Sequence, residues 1–139
     1  MSKLKTLTIL FRTANTFERL IKSHVNTYGL SVSEFGVLEA LYHKGDLSVQ
    51  EIVDKVLIAN SSMSYVLTKL QQSALVKRRV CTQDKRRVYI ALTNTGNQLI
   101  KRLYEDHEKQ LREHLDLLDS KEEETLQSLL KKIGKTKGE

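Results

Sequence analysis

EIVDKVLIANSSMSYVLTKLQQSALVKRR, residues 51–79, is the stretch whose reading decides the fold. Ile52, Val53 and Val56 give a short first helix its apolar side. Met63, Val66, Leu67 and Leu70 recur at three- and four-residue steps and make the inner stripe of a second helix over about residues 60–73. Ser61, Ser64, Tyr65, Thr68 and Gln72 fall on its opposite side. Two short helices joined by a tight turn let the second lie in the major groove of DNA, where all four base pairs are distinguishable. Asn60, Ser61, Ser62, Ser64 and Tyr65 stand at or near the N-terminal end of that helix, and Thr68 and Lys69 continue the polar face. Backbone amides at a helix start also attract phosphate. An ordinary amphipathic helix with a solvated face has the same pattern, so this segment alone leaves both readings open.

The next residues tip the balance. Val76–Val80 reads as a short basic strand, Thr82-Gln83-Asp84-Lys85 as a turn, and residues 87–92 as a returning strand. In that last strand Val88, Ile90 and Leu92 alternate with Arg87, Tyr89 and Ala91. Lys77, Arg78, Arg79, Lys85, Arg86 and Arg87 face a single acid, Asp84, within residues 77–87. Arg86, at the tip, has the charge and reach to enter a narrow minor groove. Asp84 is placed to orient its guanidinium by a bidentate contact. Lys77, Arg78, Arg79, Lys85 and Arg87 are candidates for phosphate contacts, which give affinity rather than sequence reading. A basic hairpin alone is often a solvated edge. Directly after a helix–turn–helix it reads as a wing.

Outward from this core, residues 4–28 carry Leu7, Phe11, Ala14, Phe17, Ile21, Val25 and Tyr28 at helical spacing, with Gly29 placed to stop the helix. Ser31 with Glu34, Ser48 with Glu51, and Ser120 with Glu123 form capping-box patterns that predict helix starts near residues 32, 49 and 121. Ile100, Tyr104, His107, Leu111, His114 and Leu118 suggest a coiled-coil-like seam on one long helix. Leu126, Leu129, Leu130 and Ile133 supply a closing amphipathic helix. The expected fold is mainly α with a small β-hairpin: a winged helix–turn–helix with a helical dimerisation region. One domain spans residues 1–139, with 31–96 as the DNA-binding part and 1–30 and 97–139 as dimerisation helices.

The 139-residue chain has a formal charge of +6 and no proline. Residues 105–124 hold nine acidic and three basic side chains, so the charge is polarised along the chain, as suits a molecule that turns one side to a polyanion. Cys81 is the single cysteine, which fits a reducing cytoplasm. There is no apolar run of membrane-spanning length and no signal-peptide pattern, so a cytoplasmic location without a membrane partner is expected. P-loop, GxGxxG, nucleophile-elbow and HExxH motifs are missing, which argues against an enzyme, and no cofactor is expected.

The run 51–79 resembles the recognition segment of the MarR family of bacterial transcriptional regulators, and DKRRVYIALTNTG (84–96) is similar to that family's wing signature. The order of elements matches over essentially the whole chain. The resemblance implies a homodimeric repressor bound to double-stranded DNA at a palindromic operator, with intertwined terminal helices. By matched position it makes Arg86 the minor-groove residue and Asp84 its partner, and turns Ser61, Ser62, Ser64 and Tyr65 to the major groove. Leu57 and Ala74 depart from the pattern, where glycine is usual, and Tyr65 stands where arginine is common. Within the family, residues 29–48 resemble the branch that responds to quinones and related electrophiles.

The resemblance also implies a releasing signal, and three candidates stand beside bland readings. A pocket for a small aromatic or electrophilic effector would use Phe11, Phe35 and Tyr42, residue types that more often simply fill a core. Cys81 would be a redox sensor, its thiolate favoured by Arg78, Arg79 and Lys85, or an inert strand cysteine. His24, His43, His107 and His114 offer a metal-responsive alternative through His43 and His107. Dimer-seam or surface histidines are the plainer reading, and no metal residue is assigned. A helical protein-interaction module that does not read DNA is the rival from another class.

Overall fold

The computed structural model describes residues 3–56 and 63–135. Helix α1 (Lys5–Asn26) leads to α2 (Val32–Lys44), strand β1 (Leu47–Ser48), α3 (Val49–Lys55), α4 (Met63–Gln72), β2 (Val76–Val80), β3 (Val88–Leu92), α5 (Asn94–Leu115) and α6 (Ser120–Gly134). The fold is mostly helical with a small three-stranded antiparallel sheet ordered β1-β3-β2. Two compact units divide the chain, residues 1–107 and 108–139.

Local chemistry sets the boundaries in the first unit. Gly29, at φ +76°, takes the left-handed conformation that ends α1. Ser31 Oγ accepts from the Glu34 amide at 3.1 Å while Glu34 Oε1 accepts from the Ser31 amide at 2.9 Å. Ser48 and Glu51 repeat this box at the start of α3, at 3.2 and 3.0 Å. Those hydrogen bonds to Ser48 hold the exposed Glu51 carboxyl below its ordinary pKa. Both boxes therefore satisfy orphan amides at helix starts read from sequence.

The core of this unit gathers Val25, Val37, Leu38, Ile52, Leu67, Leu70, Ile90, Ile100 and Leu103, each less than 2% exposed. Burying a Leu or Ile side chain this fully contributes roughly 1.5–3 kcal/mol. Strand β1, not expected from sequence, pairs Leu47 with Ile90 and Ser48 with Tyr89. It covers one edge of the hairpin and ties it to the start of α3.

The seam expected over residues 100–118 is corrected. Ile100, Leu103 and His107 are buried in the first unit, and α5 ends at Leu115, so Leu118 lies beyond it. His24 and His107 are buried, 7% and 6% exposed, not dimer-seam or surface residues. Their rings lie 5.3 Å apart, and His107 packs 5.0 Å from Phe35. Burial first, and His24 second, push the His107 pKa below its ordinary value. Beside them the Tyr28 hydroxyl donates to Asp106, which raises the tyrosine pKa.

In the second unit the helix cap is displaced by one residue from the expected Ser120–Glu123 pair. Asp119 accepts from the Glu122 amide at 2.8 Å, and Glu122 accepts from the Asp119 amide at 3.0 Å. Glu123 is thereby left to accept two bonds from Arg112, at 2.7 and 3.1 Å. Arg112 also donates to Asp116 at 2.5 Å. Among the described residues no helix is long and apolar enough to cross a membrane.

Candidate nucleic-acid interface

The two stripes of α4 separate as its sequence directs. Val66, Leu67 and Leu70 are buried, while Ser64, Tyr65, Thr68, Lys69 and Gln72 are exposed. Tyr65 is 66% exposed, a large aromatic ring turned to solvent from the first turn of the helix. The Thr68 hydroxyl donates to the Ser64 carbonyl at 2.9 Å, so its lone pairs remain outward. Asn60, Ser61 and Ser62, and the departure at Leu57, lie outside the described residues.

Helix α4 ends in a tight reversal. The Leu75 amide donates to the Leu70 carbonyl and the Ala74 amide to the Gln71 carbonyl, both at 3.0 Å. This is a Schellman arrangement, and Ala74 takes its left-handed position at φ 60°. The chain then enters β2 at once. Strand β2 pairs with β3 in a register symmetric about Asp84, from Val76 opposite Leu92 to Val80 opposite Val88.

At the hairpin tip Asp84 organises the turn. Its Oδ1 accepts from the Arg86 amide at 3.0 Å and from Arg86 Nε at 3.3 Å. The expected bidentate fork is not formed, because one carboxylate oxygen serves both donors. That oxygen is already fixed by the backbone amide two residues on, an Asx-type turn. The Arg86 side chain is 92% exposed and projects from a turn that its own partner stiffens. Arg87 is held above its ordinary pKa by its hydrogen bond to Tyr89 first and by the nearby Asp84 carboxylate.

Lys77, Lys85, Arg86 and Arg87 are exposed on the hairpin. Arg78 and Arg79 are engaged within the protein. Arg78 Nε donates to Gln71 of α4 at 3.2 Å. Arg79 Nε meets Asp46 Oδ2 at 2.8 Å, and its guanidinium lies 5.1 Å from the centre of the Tyr89 ring. The sequence reading missed Asp46, Gln71 and Tyr89. Counting the hairpin register outward from Asp84 would have placed Tyr89 opposite Arg79.

After β3, Thr93 fastens the hairpin to α5. Its hydroxyl donates to the Ala74 carbonyl at 2.7 Å and accepts from the Gly96 amide at 3.0 Å. Gly96 packs so closely on Leu75 that an added Cβ would lie 2.0 Å from the Leu75 carbonyl oxygen. The Thr-x-x-Gly spacing thus serves one joint.

The candidate effector residues are not gathered. Phe35 is in the core, Tyr42 packs on His43 and Tyr104, and Phe11 is 64% exposed on α1. His43 contacts Tyr104, while His107 contacts His24. Among the described residues no three His, Cys, Asp or Glu side chains are grouped to hold a metal. Cys81 is partly exposed beside the hairpin turn, its amide donating to the Arg87 carbonyl at 2.9 Å.

A helix–turn–helix core followed by a cross-braced hairpin with a basic tip defines a winged helix–turn–helix protein. The family model described as MarR family matches residues 28–87. The HTH-type transcriptional regulator MhqR of Bacillus subtilis (strain 168) is 35% identical over 131 residues, covering 94% of this chain and 90% of the relative. The crystal structure of transcriptional regulator PA4135 is similar with a TM-score of 0.77 at 26% identity, over 96% of this chain and 97% of that one. NadR, solved in complex with 4-hydroxyphenylacetate, shares the fold with a TM-score of 0.76 at 22% identity, over 99% of this chain and 98% of its own. The chain belongs to the MarR family of transcriptional regulators, and it is not an enzyme.

Proposed function

We propose that this chain is a cytoplasmic, homodimeric repressor that binds a palindromic operator in double-stranded DNA and is released by a small phenolic or quinone-like effector or an oxidative signal. The observation that carries the DNA reading is the pairing of an exposed polar face on α4 with an Arg86 side chain 92% exposed at the tip of a braced hairpin. Helix α4 would read base edges in the major groove, with Tyr65 and Ser64 foremost, and Asn60, Ser61 and Ser62 joining them. Arg86 would enter the minor groove, and Lys77, Lys85 and Arg87 would neutralise phosphates.

The dimer reading is supported by apolar surface. Helix α6 buries none of its residues within the protomer, and Leu129 and Ile133 are 55% and 60% exposed. Leu4, which caps α1, and Ile9 and Phe11 on that helix are 62%, 55% and 64% exposed. Apolar faces of this extent mark association surfaces. The effector reading draws on the resemblance of residues 29–48 and on the phenolic ligand of NadR.

The test is selection of genomic fragments by the purified protein at two salt concentrations. A recurring palindrome with half-sites about one helical turn apart is expected. Retention that depends on salt without any recurring sequence would overturn sequence-specific repression.

A further inference from the structure

Arg79 and Asp46 are 33 residues apart, and their ion pair crosses the whole sheet. The strand order is β1-β3-β2. Arg79 stands on β2, at one edge. Asp46 immediately precedes β1, at the other edge. Between them, on the central strand, Tyr89 is opposite Arg79 on one side and Ser48 on the other. The guanidinium reaches over the Tyr89 ring, 5.1 Å from its centre, to the carboxylate at 2.8 Å. Leu47 and Ile90, which point to the opposite face, are buried.

Leu47 and Ile90 anchor the inner face of this edge in the core, while the backbone pairing that joins the edge to the helix–turn–helix is short. Strand β1 contributes only two residues, and Ser48 is also the cap of α3. A short hairpin is marginal without further support. An acid beside a basic surface also opposes a polyanion unless a cation neutralises it in place. Arg79 does so, and the same contact closes the corner against the hairpin.

We propose that Asp46, Tyr89 and Arg79 form a cross-sheet clamp that fixes the wing against the start of α3, and that Arg79 acts as a positioning residue rather than a phosphate contact. The proposal rests on the DNA-binding reading above. It goes beyond that reading by giving an acidic residue a positive part in DNA affinity.

The sign of one effect decides it. Simple electrostatics says that removing the Asp46 charge strengthens binding to any polyanion. The clamp says that it weakens binding, because the wing loses its hold. The full-length protein is titrated onto a duplex of about 40 base pairs containing an A-tract, whose narrow minor groove suits an arginine. Asp46→Asn is expected to bind roughly fivefold more weakly, with Asp46→Glu near the wild type and no further loss when Asp46→Asn is added to Arg79→Met. Hydrogen exchange without DNA should show faster exchange of the Cys81 and Arg87 amides in Asp46→Asn. Unchanged or tighter binding by Asp46→Asn overturns the clamp. So does an Arg79→Met variant whose salt dependence falls by about one phosphate while Asp46→Asn is silent. Wild-type protein that fails to bind the duplex even at low salt, where phosphate contacts alone should hold it, refutes the DNA-binding reading itself, and unaltered wing exchange in Asp46→Asn refutes the clamp on its own.

Discussion

Gly96 lies against the backbone of Leu75 so closely that a Cβ would stand 2.0 Å from its carbonyl oxygen. The obstruction is main chain, and it is held in place because the Leu75 carbonyl also accepts from the Thr93 amide at 3.1 Å. Gly96→Ala must therefore push α5 away from the β2 entry. The expected loss of stability is roughly 2–4 kcal/mol. Chemical denaturation measures it, and a loss within experimental error would show that this joint yields freely.

Ala74 makes the opposite case. It holds φ 60° at the end of α4, in a region that costs an L-residue about 1–2 kcal/mol. Glycine relieves that strain but adds freedom to the unfolded chain. Ala74→Gly is expected to stabilise the protein by about 0.5–1 kcal/mol, read as a higher denaturation midpoint. A lower midpoint would mean that the Ala74 methyl makes packing contributions larger than its strain.

What sequence made legible was whatever local chemistry determines. The α2 and α3 starts follow from Ser–Glu boxes, and the α4 stripe from apolar spacing. Two adjacent solutions defeated the third box: Ser120–Glu123 and Asp119–Glu122 both satisfy the pattern, and the choice depends on Arg112, eleven residues from Glu123. The 100–118 seam failed for a similar reason. Helical spacing shows that a face is apolar but not what covers it, and in Ile100 and His107 the cover is the protomer's own core. In the candidate interface, Arg86 and Asp84 were visible because they are two residues apart. The roles of Asp46 and Gln71 were hidden because their arginines come from another element.

His107 gives the fold a pH dependence of known sign. Its folded pKa lies below the ordinary value of 6.5 because burial and the neighbouring His24 disfavour the imidazolium. The unfolded chain therefore binds the proton more readily. Stability contributed by neutral His107 is present above pH 6.5 and falls as pH drops from there toward the folded pKa. The wild type should be less stable at pH 5.5 than at 7.5, and His107→Gln should flatten that slope. An unchanged slope in the variant would assign the dependence to other groups.

Arg86 tests the wing directly. The residue is 92% exposed and its ion-pair partner, Asp84, belongs to the same turn, so truncation leaves the core untouched. Arg86→Ala should keep the thermal midpoint and oligomeric state of the wild type. A minor-groove arginine carries both a phosphate-like electrostatic contribution and a preference for narrow A/T-rich steps. The variant should thus bind about tenfold more weakly, and its loss should be greatest on duplexes with A-tracts. Asp84→Asn keeps the backbone acceptor but weakens the hold on the guanidinium, so a smaller loss is expected. Measured by anisotropy at two salt concentrations, equal affinity of Arg86→Ala and wild type for every duplex would remove the hairpin tip from the DNA interface and leave α4 alone to account for binding.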